Sequence, residues 1–146
     1  MGERVTNYIN LYIELSESRN KIIDEMYQAL IKIEKEYKTS SGKVSAFCNI
    51  EKLGNTIRFQ FLDFNVCIEL EICTSKEGGF IKWYRTRQDF DPKLKKNLII
   101  KDSFNNHGEI KTSWKSSMGF NIQNITSYLN QALITFCERN DEIDFK

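Results

Sequence analysis

The most informative absences in this sequence concern metal donors and nucleotide-binding motifs. It has a single histidine, His107, and its four cysteines form no CxxC pair, so the usual donor spacing of a zinc site is missing. It also lacks a glycine-rich phosphate-binding motif, a nucleophile elbow and a calcium-binding loop. We therefore expect no metal and no cofactor. We also expect binding rather than catalysis, although a missing motif does not exclude a rare enzyme.

Long apolar runs and a strong net charge are absent as well. No run approaches the roughly 20 apolar residues that a membrane helix needs, and the N-terminus has no apolar signal-peptide core. The formal net charge of +1 gives no global field toward nucleic acid or an anionic membrane. With 146 residues, we expect one α+β domain over residues 1–146 and no membrane partner.

Between residues 43 and 114 the sequence has many segments in which apolar and polar residues alternate, as they do in β-strands. The clearest case is residues 64–72, in which Phe64, Val66, Ile68 and Leu70 alternate with polar residues and a cysteine. Strict alternation places one face of a strand against a core and the other face in solvent. The pattern therefore predicts a sheet with one buried face that another layer must cover.

Two helical stripes can supply that cover. Residues 4–37 carry apolar residues at three- and four-residue spacing. Because no glycine or proline interrupts this segment, we favour one long helix over two helices that meet at a bend. Asn121 is a suitable N-cap, and a second apolar stripe follows it as far as Phe136.

Six strands are predicted between the two helices, and their short connections favour antiparallel pairing. In the first strand, alternation from Val44 places Cys48 inward and Phe47 outward. The sum is an α+β two-layer sandwich, with a long N-terminal helix, an antiparallel meander of about five to six strands and a C-terminal helix. The predicted strands are residues 43–50, 56–62, 64–72, 79–86, 98–102 and 109–114.

Cysteine placement indicates the cellular compartment. Alternation puts Cys48 on the core face and Cys67 on the opposite face, so we expect that these two do not form a disulfide across the sheet. Reduced thiols are typical of a reducing environment. We therefore expect a cytoplasmic protein.

Residues 82–101 contain seven basic residues against two acidic ones, a local charge of +5 that leaves −4 for the rest of the chain. At residues 82–87 basic and aromatic side chains alternate closely, a combination that can bind phosphates and stack bases. The competing interpretation is a strand with Trp83 or Tyr84 in the core and its arginines along the surface, followed by a solvated loop at 91–96. The candidate binding residues are Arg58, Lys82, Trp83, Arg85, Arg87, Lys95 and Lys96.

Two other groups of residues are better explained by structure than by catalysis. His107 is predicted at a hairpin tip, which offers neither the orienting partner nor the pocket that a general base needs. Glu69 and Glu71 share one strand face, where a cross-strand ion pair with Arg58 or Lys82 accounts for them better than a metal site does. We therefore name no catalytic and no metal-binding residue.

Sheet edges and exposed aromatics favour an interaction function. Strand 43–50 and strand 109–114 are the candidates for a sheet edge, which natural proteins must protect or pair. Edge pairing, or docking of a helix face, would give a homodimer. On the outer face, Phe47, Leu62 and either Trp83 or Tyr84 would form a binding patch.

Three functions follow from these surfaces. We favour a small non-enzymatic binding protein that masks or inhibits a macromolecular partner, as an immunity protein, an inhibitor or a secretion chaperone does. One alternative is a binder of a small anionic ligand or nucleotide, with hydrolysis as an option, in which Arg58, Lys82, Arg85 and Arg87 converge in a pocket. The other is a nucleic-acid binder that uses residues 82–101. Basic side chains of residues 82–101 on a flat exposed surface favour a macromolecular partner, and their convergence in a cleft favours the small anion.

Overall fold

In the part of the chain that the structure describes, a long N-terminal helix is followed by a seven-stranded sheet and then by a second long helix. The computed structural model describes residues 2–37, 46–86, 96–114 and 119–144. Each strand pairs with the next in an antiparallel meander, so the spatial order of the strands is their order in the chain. The elements are α1 (Gly2–Glu36), β1 (Phe47–Leu53), β2 (Thr56–Phe61), β3 (Phe64–Cys73), β4 (Gly78–Thr86), β5 (Asn97–Phe104), β6 (Ile110–Lys111), β7 (Gly119–Phe120) and α2 (Ile125–Asp144), with short 3₁₀ turns at Thr74–Lys76 and Ile122–Asn124.

The predicted α+β class is confirmed, and so is the prediction of a single N-terminal helix. α1 packs on β1, β2 and β3, α2 packs on β5 and β7, and the two helices contact each other. Both helices therefore cover the same face of the sheet, which makes two layers. Neither helix, over the described residues, is long and apolar enough to cross a membrane. The fully buried core side chains include Leu15, Ile22, Met26, Leu30, Ile57, Ile68, Leu70, Ile81, Trp83, Leu129 and Phe136.

The 3₁₀ turn Ile122–Asn124, which leads into α2, is capped by the residue predicted to cap the helix, Asn121. Its side chain accepts hydrogen bonds from the backbone N–H groups of Gln123 and Asn124, and the side chain of Asn124 accepts from the backbone N–H of Asn121. This reciprocal capping box satisfies donors that the first turn would otherwise leave unpaired. The signal for the helix start was therefore local and visible in the sequence.

The register of β1 differs from the prediction. Phe47 is buried and lies opposite Phe61, whereas Cys48 lies opposite Gln60 on the face away from the helices. A β-bulge between Cys48 and Glu51 inserts an extra residue, and Asn49 there has a φ of 55°. A bulge reverses which residues of a strand point inward, so one alternation pattern does not describe the whole strand. The prediction applied one alternation to residues 44–50, but the bulge lies within that range, and both Phe47 before it and Ile50 after it pack against the core. The predictions that Cys48 points inward and Phe47 outward are therefore wrong.

The C-terminal part of the sheet also differs from the prediction, because it contains two short strands instead of one longer strand. The predicted strand 109–114 is reduced to the two residues of β6, and β7 follows as a seventh strand. The sheet edges are therefore β1 and β7. The expectation of an edge at the first strand is confirmed, whereas the strand at 109–114 lies between β5 and β7.

A buried carboxylate links the end of the sheet to α2. Asp102 is 1% exposed, and its oxygens accept from the backbone N–H and hydroxyl of Ser113, from Nε1 of Trp114 and from the hydroxyl of Tyr128. The Tyr128 hydroxyl in turn accepts from Nε1 of Trp83 at 3.1 Å. Burial, with the Asp102 charge and its hydrogen bond in support, raises the pKa of Tyr128 well above its ordinary value. Tyr128 therefore remains a neutral donor, and both side-chain oxygens of Asp102 accept hydrogen bonds.

Candidate binding surface

The face of the sheet opposite the helices, which we call the outer face, carries the polar positions of the strands. Antiparallel register aligns these positions into rows that run across the sheet. Three rows are Glu51–Arg58–Cys67–Tyr84–Leu98, Thr56–Glu69–Lys82–Lys101 and Glu71–Phe80–Ser103–Lys111. Acidic, basic and aromatic side chains are thus interleaved on one face.

Ion pairs order the middle of the outer face. Nζ of Lys82 lies 2.6 Å from Oε2 of Glu71, and Nζ of Lys96 lies 2.5 Å from Oε1 of Glu69. Each hydrogen bond to a carboxylate raises the pKa of its lysine above the ordinary value. The predicted ion pair between Lys82 and a glutamate of β3 is confirmed, with Glu71 as the partner. Glu69 pairs with Lys96 instead of Arg58 or Lys82.

Two lysines lie over aromatic rings of β4. Nζ of Lys101 is 4.2 Å from the ring centroid of Phe80, and Nζ of Lys96 is 5.5 Å from that of Tyr84. A cation over an aromatic face is held by the quadrupole of the ring. These contacts restrict the conformations of both lysine side chains. The side-chain entropy lost when a partner binds is therefore smaller.

Cys67 is the most buried residue of this face, at 1% exposure. Its cross-strand neighbours are Arg58 and Tyr84. Burial, followed by the charge of Glu69, raises the pKa of the Cys67 thiol, while Lys96 and Arg58 act in the opposite direction. Burial likewise raises the pKa of the Tyr84 hydroxyl. Both groups are therefore neutral at physiological pH and form an uncharged centre within the charged rows.

Trp83 and Arg85 lie on the helix side of β4, because alternate residues of a strand point to opposite faces. Trp83 is fully buried in the core. Arg85 is half-buried at the end of the strand, where Nη1 lies 3.4 Å from Oδ1 of Asn140 and Cζ lies 5.2 Å from the Phe64 ring centroid. Among the candidate residues, Arg58 and Lys82 therefore lie on the opposite face of the sheet from Trp83 and Arg85, and these four do not form one site.

Of the seven candidate residues, three are brought together on the outer face: Arg58, Lys82 and Lys96. Arg87 and Lys95 lie outside the described residues. The pattern of basic and aromatic residues at 82–87 does not include Phe80 or Lys101, which share this face with Lys82. Strand parity contained that signal, because residues 80, 82 and 84 point the same way.

The predicted aromatic patch is only partly present. Leu62 is 58% exposed in the turn between β2 and β3, where it has a φ of 53°. Of the two alternatives on β4, Tyr84 is the residue on the outer face. Phe47 is buried in the core on the helix side of β1, so it contributes nothing to this surface.

A cleft of about 620 Å³ lies at the other end of the sheet, between the Thr74–Lys76 turn and the start of α2. Two lysines and two glutamates line it, which gives it no net charge. None of the described candidate residues lies in it. Its lining also includes Gly78, Gly79, Phe80, Phe104, Asn105, Phe120, Asn121 and Asn124.

Catalytic and metal-binding groups were not predicted, and the described residues contain no cluster of three or more histidine, cysteine, aspartate or glutamate side chains able to hold a metal ion. His107 lies in the β5–β6 turn, where its backbone N–H donates to Oδ1 of Asn105. All four cysteines are thiols rather than half-cystines.

Comparison with known proteins gives no further assignment. The chain matches no family model, no curated protein and no solved structure among those compared.

Proposed function

We propose that this protein is a non-enzymatic binding protein that masks or inhibits a protein partner through the outer face of its sheet. The observation that supports the proposal is the position of Arg58, Lys82, Lys96 and Lys101. They are spread over one face of the sheet, among aromatics and carboxylates, and neither helix covers that face. A mixed-charge surface with aromatic residues suits a protein interface. Immunity proteins, inhibitors and secretion chaperones act by covering a partner in this way.

The ion pairs on the outer face favour a protein partner over a nucleic acid. Lys82 and Lys96 each hold a carboxylate of β3, so a phosphate backbone would meet Glu69 and Glu71 together with the lysines. Nucleic-acid binding draws its affinity from basic side chains that neutralise phosphates. A protein partner with both signs of charge fits the alternating rows better.

The alternative of a small-anion site, in which several cations converge on one ligand, has less support. Arg85 points to the helix side and the cleft contains none of the described candidate residues. The small-anion alternative requires several of these cations to meet in one pocket. It predicts a thermal shift with nucleotides or anionic metabolites, and an unchanged melting temperature would set it aside.

The thiol state of the four cysteines supports action in a reducing compartment. We place the binding function in the cytoplasm as part of the proposal.

Affinity capture from a lysate of the native host tests the proposal, with a charge-reversal variant of the outer face. The parent protein is expected to recover one protein partner in stoichiometric amount. Arg58→Glu with Lys101→Glu changes two exposed cations of the outer face. We expect recovery to fall at least about tenfold, because like charges then oppose each other across the interface.

The matched control is Lys32→Glu with Lys35→Glu, which makes the same change in net charge at two exposed positions of α1. This control is expected to recover the partner as the parent does, and circular dichroism checks the fold of both variants. Failure of the parent to recover a stoichiometric partner contradicts the proposal. Equal loss in both variants contradicts the role of the outer face.

A further inference from the structure

The first half of α1 carries an exposed apolar stripe that neither the core nor the outer face explains. Val5, Tyr8, Ile9, Tyr12 and Ile13 are 49–60% exposed. Every residue from 4 to 10 is exposed, and Leu15 is the first fully buried residue of the helix. Nothing in the described chain covers these five side chains.

The spacing of the five residues puts them on one side of the helix. They follow the i, i+3, i+4, i+7, i+8 pattern of an amphipathic stripe. Val5, Ile9 and Ile13 form one ridge of residues four apart, which is the kind of ridge that packs into the groove of another helix. Tyr8 and Tyr12 flank this ridge, and tyrosine suits an interface because its hydroxyl can remain in water.

The residues of this segment add little to the stability of the helix. Residues 5–10 read Val-Thr-Asn-Tyr-Ile-Asn, and β-branched residues and asparagine have low helix propensity. The segment continues the packed part of α1, and most helical stability in proteins comes from packing of an apolar face. A partner that covers the stripe would add to that stability.

We propose that a second copy of this chain provides the cover, with the two stripes packed antiparallel around Ile9. In that arrangement Val5 of one copy faces Ile13 of the other, and the two Ile9 side chains meet at the two-fold axis. An isologous contact of this kind is the commonest way in which identical chains pair. The proposal concerns α1 and does not depend on the partner of the outer face.

The area available suits a small dimer interface. A fully buried aromatic side chain contributes roughly 150–250 Å², and valine or isoleucine somewhat less. Two tyrosines and three aliphatic side chains that are about half exposed therefore offer on the order of 500 Å² per copy. Two copies then bury about 1,000 Å², which is the lower bound for a specific interface.

The charge of the segment also permits self-association. Residues 2–13 contain one acidic and one basic residue, so two copies do not repel each other there. An interfacial membrane helix, by contrast, is typically rich in lysine and arginine on its polar side. The segment has only Arg4, which favours a second chain over a lipid surface.

Two matched isoleucine substitutions test the proposal. Ile9 and Ile134 are both 53% exposed on a helix, but Ile134 lies on α2, outside the stripe. Light scattering and sedimentation of the parent are expected to show twice the mass of one chain. Ile9→Glu is expected to raise the dissociation constant at least about a hundredfold, because it buries two uncompensated carboxylates at the interface centre. Ile134→Glu is expected to dimerise as the parent does.

Several results would overturn the proposal. A parent with the mass of one chain at every concentration excludes the dimer, and flotation of that monomer with zwitterionic lipid vesicles would assign the stripe to a membrane. A dimer that persists in Ile9→Glu places the interface elsewhere. Equal dissociation of both variants means that the loss is not specific to the stripe. Since both positions are exposed, circular dichroism is expected to show a retained fold in each variant.

Discussion

The hydroxyl of Tyr128 occupies the centre of the buried polar network, because it accepts from Trp83 and donates to Asp102. Tyr128→Phe leaves Nε1 of Trp83 without this acceptor and removes one donor from a buried carboxylate. We expect a loss of about 2 kcal/mol in the free energy of unfolding, the usual cost of an unsatisfied buried polar group. Urea unfolding followed by circular dichroism measures it.

Tyr37→Phe provides the control for this substitution. Tyr37 is 59% exposed at the end of α1, so loss of its hydroxyl is expected to change the stability by less than about 0.5 kcal/mol. Equal stabilities of Tyr128→Phe and the parent would show that the network contributes nothing net.

The thiols of Cys67 and Cys73 are expected to react at different rates. A hydrogen bond from the Ser75 hydroxyl, which lies 3.3 Å from Sγ of Cys73, lowers the pKa of that thiol, whereas burial raises the pKa of Cys67. The thiolate is the reactive species. At mildly alkaline pH, iodoacetamide should therefore label Cys73 well before Cys67, as peptide mass spectrometry can measure.

Ser75→Ala tests the cause of that difference. Without the hydroxyl, the pH profile of Cys73 labelling is expected to move toward higher pH, while the slow labelling of Cys67 stays unchanged. An unmoved Cys73 profile, or earlier labelling of Cys67, contradicts the assignment.

At the scale of elements, β4 begins with two glycines that the packing of β5 requires. A Cβ added to Gly79 would lie 2.3 Å from the carbonyl oxygen of Glu71 and 2.3 Å from the Phe104 ring. We expect Gly79→Ala to destabilise the protein by about 3 kcal/mol, the upper range for overpacking, as measured by urea unfolding.

Gly119→Ala in β7 is the matched control, since a Cβ there meets nothing within 4 Å. It is expected to be close to neutral. If Gly79→Ala is as stable as Gly119→Ala, the contact between β4 and β5 is looser than the structure gives.

Elements with a regular period were predictable from the sequence, and irregular ones were not. The stripe of α1, the capping signal at Asn121 and the alternation of β3 all specified their elements locally. The bulge at Asn49 left no such signal, because a bulge is set by how a strand pairs with its neighbour. Because the bulge separates Phe47 from Ile50, both residues face the core. A single alternation that places Ile50 inward therefore misplaces Phe47 and Cys48.

The residues of the candidate binding surface were likewise predictable only in part from the sequence. Strand parity was sufficient to separate Lys82 from Trp83 and Arg85. Which of the two parities would face the helices depended on long-range contacts, such as the hydrogen bond from Trp83 to Tyr128. Lys96 joined the outer face through its ion pair with Glu69 and its contact with the Tyr84 ring, which are tertiary contacts that spacing along the chain does not reveal.

At the scale of the whole molecule, the two proposed surfaces are distinct. The outer face has interleaved charges and aromatics on strands β1 to β6, and the apolar stripe lies on the first half of α1. Both helices cover the opposite face of the sheet. A dimer through α1 therefore leaves the central strands of the outer face available to a partner.

The most direct test of the central claim is lysine labelling of the protein alone and in complex with its recovered partner. Lys101 and Lys111 are exposed on the outer face, whereas Lys32 and Lys35 are exposed on α1. With an acetylating reagent and mass spectrometry, we expect the partner to reduce labelling at Lys101 and Lys111 and to leave Lys32 and Lys35 unchanged. Unchanged labelling at Lys101 and Lys111, with protection at Lys32 and Lys35, would contradict the assignment of the outer face as the binding surface.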